Sequence, residues 1–125
     1  MILDTCALLW LPSGDKALSD AARQRLAEAR TVWYCAISGF ELALKVRDGK
    51  LELPEEPAAW LKAVARRYGL TEIPLDTELC AAGALLPAHH GDPCDRFIIA
   101  SALAKDVPVV TADGRFKDYG VETIC

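Results

Sequence analysis

Two acids stand where the chain leaves a short apolar run, Asp4 after Ile2-Leu3 and Asp113 shortly after Val109-Val110-Thr111. Two more, Glu41 and Asp95, lie near the starts of segments with helical composition. In an open parallel sheet the ligand crevice lies beyond the carboxyl ends of the strands, so such a topology would bring all four to one edge. Like charges a few ångströms apart raise one another's pKa values and cannot all stay ionised unless something positive sits among them. A hard divalent cation is the natural remedy. Mg2+ takes carboxylate and water oxygens at about 2.0–2.1 Å in octahedral geometry. It makes a bound water acidic enough to act as a nucleophile, and it, or a second ion about 4 Å away, stabilises a pentacovalent phosphate. The reaction class that fits this quartet is phosphodiester hydrolysis.

Each acid also has a plainer role. Asp4 is equally suited to cap a helix starting at Thr5. Glu41 lies four residues before Lys45, a common exposed pair worth about 0.3–0.5 kcal/mol. Asp92 reads as the N-cap of a helix with Pro93 at its first position, which makes Asp95 a natural complement to the same helix start. Asp113 precedes Gly114 and suits a turn. His89 and His90 offer a different, metal-independent acid–base pair, but adjacent residues do not face one point and both fall in the loop before Asp92. If all four acids are only caps and turn residues, the chain is a non-catalytic interaction domain.

The elements that must position these groups follow from spacing. Ile2-Leu3 reads as a first strand and Thr5 to Leu11 as a first helix, broken by Pro12-Ser13-Gly14-Asp15. From Ser19, a good N-cap, Ala22, Leu26 and Ala29 recur at helical spacing. Val32 to Ile37 is β-branched and aromatic, a strand buried on both faces, and Ser38 is placed to cap the helix that runs through Phe40 to Arg47. Pro57 opens a helix that Gly69 ends. Leu70 to Ile73 reads as a short strand, Asp76 or Thr77 as the cap of a helix closed by Pro87, and Phe97 to Ala104 as a strongly apolar helix. Val107 to Thr111 is a strand with Pro108 at its start or on an edge, and Val121 to Ile124 adds a last one. Strands alternating with helices predict a parallel sheet covered on both sides, in one domain.

Composition sets the limits. The 125-residue chain is 52% hydrophobic, enough for a single core without disulfides or structural zinc. Cys6, Cys35, Cys80, Cys94 and Cys125 form an odd set without a C-x-x-C pair; they read as small buried hydrophobes, Cys125 aside. No apolar run is long enough for a membrane span, and Met1-Ile2-Leu3-Asp4 lacks the basic start of a secretory signal, so a cytoplasmic protein is expected. With 14 basic and 18 acidic residues the net charge is −4. That balance argues against a nucleic-acid partner unless four acids are neutralised by metal, in which case the remainder balances.

Taken together these residues resemble the PIN-domain family, and within it the VapC-type ribonuclease toxins of bacterial type II toxin–antitoxin systems. The resemblance rests on Leu3-Asp4-Thr5 with Leu9-Trp10, on Ile37-Ser38-Gly39-Phe40-Glu41-Leu42-Ala43-Leu44-Lys45 followed by Gly49-Lys50-Leu51, on His90-Gly91-Asp92-Pro93-Cys94-Asp95-Arg96-Phe97-Ile98-Ile99-Ala100, and on Val110-Thr111-Ala112-Asp113 with Phe116 and Tyr119. It implies a single PIN-like domain over residues 1–125, an α/β/α sandwich with a central, mostly parallel sheet. It implies an endoribonuclease in which Asp4, Glu41, Asp95 and Asp113 hold Mg2+ or Mn2+ for cleavage of RNA. It places hydroxyls at Thr5, Ser38 and Thr111, on a metal-bound water or on a carboxylate, and gives Arg96 either a substrate phosphate or an acid as partner. Arg115 stands where some members carry another acid. Partners implied by the resemblance are RNA, a cognate VapB-like antitoxin and a second copy of the chain.

Overall fold

Ile2 and Leu3 form the first strand, β1, and both are fully buried, yet they belong to different cores. Successive side chains of a strand point to opposite faces, so a two-residue strand apolar at both positions must be covered twice. Val109 and Val110, the whole of β4, repeat the arrangement beside it. The other strands are β2 (Val32–Cys35), β3 (Leu70–Ile73) and β5 (Thr123–Ile124), and all pairings are parallel in the order β3-β2-β1-β4-β5. The computed structural model describes residues 1–125.

The helices are α1 (Thr5–Ser13), α2 (Asp20–Glu28), α3 (Ile37–Arg47), α4 (Pro57–Tyr68), α5 (Thr77–Leu85) and α6 (Pro93–Lys105), with a 3-10 helix at Gly114–Tyr119. One core gathers Ile2 and Val109 with Leu79 of α5, Ile98 and Ile99 of α6 and Phe116. The other gathers Leu3 and Val110 with Leu8 of α1, Ala22 of α2, Leu42 of α3 and Leu61 of α4. The result is the expected sandwich of helices, parallel sheet and helices. No helix is long and apolar enough to cross a membrane.

Caps read from sequence are in place at Ser19, Asp76 and Asp92, each of whose side chains accepts a main-chain N–H of the first turn. Four local expectations are corrected. α1 runs past Leu11 through Pro12 to Ser13, and stops where Gly14 takes a left-handed φ of 70°. β2 ends at Cys35 because α3 starts at Ile37, two residues later. Ser38 therefore lies inside α3 instead of capping it, and Ala36 at the cap position makes no side-chain bond. The fourth strand is trimmed to Val109–Val110, with Pro108 just outside, its carbonyl accepting the Ile2 N–H at 2.9 Å.

Candidate metal centre

The sheet order sets the site. The chain passes from β1 outward to β3 on one side and then returns to place β4 on the other side of β1, so the crevice opens beyond the ends of β1 and β4. Leu3 pairs with Val110, and Asp4 and Thr111 leave the sheet side by side, with the Asp4 N–H donating to the Val110 carbonyl at 3.1 Å. Asp113 follows two residues on and opens the 3-10 helix. Glu41 arrives from α3 and Asp95 from the first turn of α6. Asp4, Glu41, Asp95 and Asp113 all line one cavity of about 320 Å3, together with Thr5, Cys6, Trp10, Lys45 and Asp92.

Three of the acids also serve as caps. Asp4 Oδ1 accepts the Ala7 N–H at 2.8 Å, Asp92 Oδ1 accepts that of Cys94 at 2.9 Å, and Asp113 Oδ1 accepts that of Arg115 at 2.9 Å. A carboxylate has two oxygens and about four lone-pair directions, so capping leaves room for a second task. Glu41 does not fit the surface-pair reading. It makes no ion pair with Lys45, and its Oε1 is buried without any hydrogen-bond partner. An orphaned carboxylate oxygen in a pocket of other acids is free to meet a cation.

The electrostatics agree. Burial pushes the Asp95 carboxyl up to about 7, and the charges of Asp92 and Glu41 push the same way. Burial likewise raises Asp4, with Glu41 and Asp113 adding to it against the opposing effect of the Thr111 hydroxyl and the Ala7 amide. Asp113 differs. The Arg115 guanidinium grips it at 2.8–3.2 Å and holds its carboxyl down at about 2. Asp113 is already paired with Arg115, Asp4 and Asp95 are raised chiefly by burial, and the carboxylate oxygens of the four acids are donors of the kind that Mg2+ or Mn2+ takes.

The supporting residues divide. Thr5 lines the cavity, but its hydroxyl is engaged by the fully buried Ser38 hydroxyl at 2.9 Å, so this pair ties α1 to α3. Thr111 stays with the carboxylates, accepting the Asp113 N–H at 3.1 Å. Arg96 takes neither expected partner. Its nitrogens donate to the carbonyls of Gly83, Ala84, Leu86, Pro87 and His90 at 2.6–3.2 Å, which closes the end of α5 and leaves nothing for phosphate or an acid. Cys35 and Cys94 are buried as expected, whereas Cys80 is exposed and Cys6 faces the cavity.

Spacing alone missed His90. Its ring is enclosed, and Nε2 lies 2.9 Å from Asp95 Oδ2 and 3.1 Å from Asp113 Oδ2. His89 instead packs edge-on against Tyr119 at 5.1 Å, so the two histidines are not an acid–base pair. The available signal was the position of His90 two residues before a helix cap, close enough for the Asp92 N–H to reach its Nδ1.

Comparison with known proteins adds the following. The PIN domain family model matches residues 1–122. The chain is 31% identical over 123 residues to Ribonuclease VapC22 of Mycobacterium tuberculosis (strain ATCC 25618 / H37Rv), covering 95% of this chain and 91% of that protein. It superposes on a chain of VapBC2 from Rickettsia felis bound to a promoter DNA fragment with a TM-score of 0.70 at 17% identity, covering 98% of this chain and 96% of that one. For a chain of FitAB bound to an IR36 DNA fragment the TM-score is 0.66 at 20% identity, covering 98% and 92%.

Proposed function

The chain belongs to the PIN-domain family, and on that premise we propose that it is a Mg2+- or Mn2+-dependent endoribonuclease acting as the toxin of a VapBC-type pair. The observation that carries the reading is the buried, partnerless Glu41 Oε1 in a cavity shared with Asp4, Asp95 and Asp113. As caps alone, these acids would leave that oxygen unexplained, since Glu41 lies in the body of α3 and caps nothing.

Asp4, Glu41, Asp95 and Asp113 hold the metal in this reading. Bound there, the cation supplies a water acidic enough to attack phosphorus and offsets the charge that develops on the phosphate. The protein's own contribution is positional. Asp4 is fixed by its cap bond to Ala7, and Asp95 sits in the first turn of a helix whose cap is Asp92. Lys45 at the cavity and the half-exposed Arg115 supply positive charge to an RNA backbone approaching an otherwise acidic mouth. The partners of this reading are RNA as substrate, a VapB-like antitoxin, and a second copy of the chain. Leu85, 84% exposed at the end of α5, and Phe40, 56% exposed on α3, are apolar surface available to such protein partners.

Purified protein incubated with RNA and Mg2+ or Mn2+ tests the activity. Cleavage that EDTA abolishes and added metal restores is the expected result. Metal-independent cleavage, or none with either ion, would overturn it.

A further inference from the structure

Trp10 stands in the second half of α1 and forms the wall between two recesses. On one side it lines the acidic cavity. On the other it lines a groove of about 500 Å3 whose apolar walls include Leu9 of α1, Leu51 and Leu53 of the loop after α3, and Trp60 of α4. Asp15 and Glu52 lie along the same groove. We propose that this groove is a base-binding subsite of the nuclease: an unpaired nucleobase of the RNA, adjoining the phosphate to be cut, turns out of the strand and stacks on the Trp10 indole, with Trp60 and Leu51 completing the walls. The subsite rests on the ribonuclease reading given above.

The place of Trp10 follows from its helix. Asp4 is the N-cap of α1, and Cys6 and Trp10, four residues apart, present one helix face to the acidic cavity. At 1.5 Å per residue Trp10 lies about 9 Å along the helix from Asp4, the scale of one nucleotide. The residue is also held. Its carbonyl accepts Arg23 Nη2 at 3.0 Å and the Ser13 hydroxyl at 3.3 Å, and it packs, half-buried, with Leu9, Leu51 and Trp60 on the core beneath. An indole supported on one side and open on the other is a platform for the face of a base. Charge then separates base from backbone. Lys45 lines the acidic cavity, and the exposed Lys50, whose N–H donates to the Lys45 carbonyl at 2.9 Å, comes just before Leu51 at the groove. These cations suit the phosphates that flank the stacked nucleotide. The charged residues of the groove itself are both acids, which repel phosphate and accept N–H groups, so the part of RNA that enters is a neutral base. An apolar segment of a protein is the other occupant such walls would take; the wall shared with the acidic cavity and the adjoining lysines favour a nucleotide.

Fluorescence anisotropy with two labelled probes tests the subsite: a mixed-sequence single-stranded RNA of about ten nucleotides, and an abasic strand of the same length and charge. Titrations with Mg2+ use the Asp95→Asn protein, which holds back turnover. Adding Trp10→Ala is expected to weaken RNA binding about tenfold, the loss of one stacked base, and to leave the abasic strand within about twofold. Trp10→Phe keeps an aromatic face and is expected to bind RNA within about threefold of the protein with Trp10 intact. The salt dependence should not change, because no phosphate contact is lost. Equal RNA affinity with and without Trp10, or a loss of equal size for both probes, would overturn the subsite. Since Trp10 also packs on the core, photocrosslinking of RNA carrying 4-thiouridine to the protein with Trp10 intact gives a second readout. Attachment to the segments that hold Trp10 or Trp60 is expected. RNA that binds but crosslinks only elsewhere would leave the groove to a protein partner and overturn the subsite alone. Wild-type protein that neither binds nor cuts RNA in Mg2+ would overturn the ribonuclease reading and the subsite with it.

Discussion

At the scale of single residues, Asp4 answers a question its sequence context left open, since helix cap and site acid were equally good readings. The two are compatible, because Oδ1 accepts the Ala7 N–H while the same residue lines the cavity. Replacing Asp95 by Asn separates charge from shape. Asp95→Asn is expected to abolish RNA cleavage while leaving the metal-free protein as stable as wild type or slightly more so, because one source of repulsion is gone. Wild-type cleavage by the folded variant would contradict this. The same carboxyl gives a pH dependence. Between its ordinary value of 3.8 and about 7, the folded chain keeps on Asp95 a proton that the unfolded chain has released. The folded form then binds more protons, so metal-free stability falls as pH rises through that window, and Asp4 adds in the same direction. Chemical denaturation at steps from pH 4 to 7.5 in EDTA, compared with Asp95→Asn, should show the wild-type decline flattened in the variant. Arg115 works against metal by holding Asp113. Arg115→Ala is expected to tighten Mn2+ binding by roughly two- to fivefold, the modest gain appropriate to a half-exposed pair. Calorimetry showing weaker binding would mean that the guanidinium assists the ion.

Elements explain why some of the site was legible and some was not. Ser19, Asp76 and Asp92 could be read as caps because a cap and its helix are contiguous in sequence. The quartet was legible for a related reason, since each acid sits at the end of a strand or early in a helix, and a parallel sheet brings such ends together. His90 and Arg96 were not, because their partners are set by the path of the segment joining α5 to α6, which no periodicity encodes. The family resemblance implied a substrate phosphate or an acid as partner for Arg96, yet the fold uses it on main-chain carbonyls at the end of α5, groups that a helix leaves without internal partners. Ser38 was misplaced by a similarly local cause, a helix that begins immediately after β2. Removing Arg96 should therefore act on stability before chemistry. Arg96→Ala is expected to lower the unfolding free energy by about 3 kcal/mol, through several charged hydrogen bonds to partly buried carbonyls. A urea titration would measure it, and a change within about 0.5 kcal/mol would show that water replaces the guanidinium without cost.

For the molecule as a whole, the same sheet that organises two cores also assembles a cluster of anions, and these tendencies oppose each other until a cation is present. β1 and β4 are buried on both faces, so the crevice at their ends cannot relax without disturbing the centre of the sheet. The cost of burying Asp4 and Asp95, to which neighbouring acids add and which their raised carboxyls record, is thus held by the fold. A divalent ion that binds only the folded state should recover it by mass action. At a free Mg2+ concentration about 100 times the dissociation constant, the added stability is about 2.7 kcal/mol. For a chain of 125 residues this corresponds to a rise in Tm of about 10 °C. The shift should be reversed by EDTA and much reduced in Asp95→Asn. Ca2+ should stabilise less than Mg2+ if a small octahedral site is what the four acids form, because the larger ion asks for more oxygens than they and a few waters supply at short range. Differential scanning calorimetry with each ion and each protein separates these cases. An equal Tm rise in wild type and Asp95→Asn would place the ion elsewhere on the acidic surface and detach the cavity from the chemistry assigned to it.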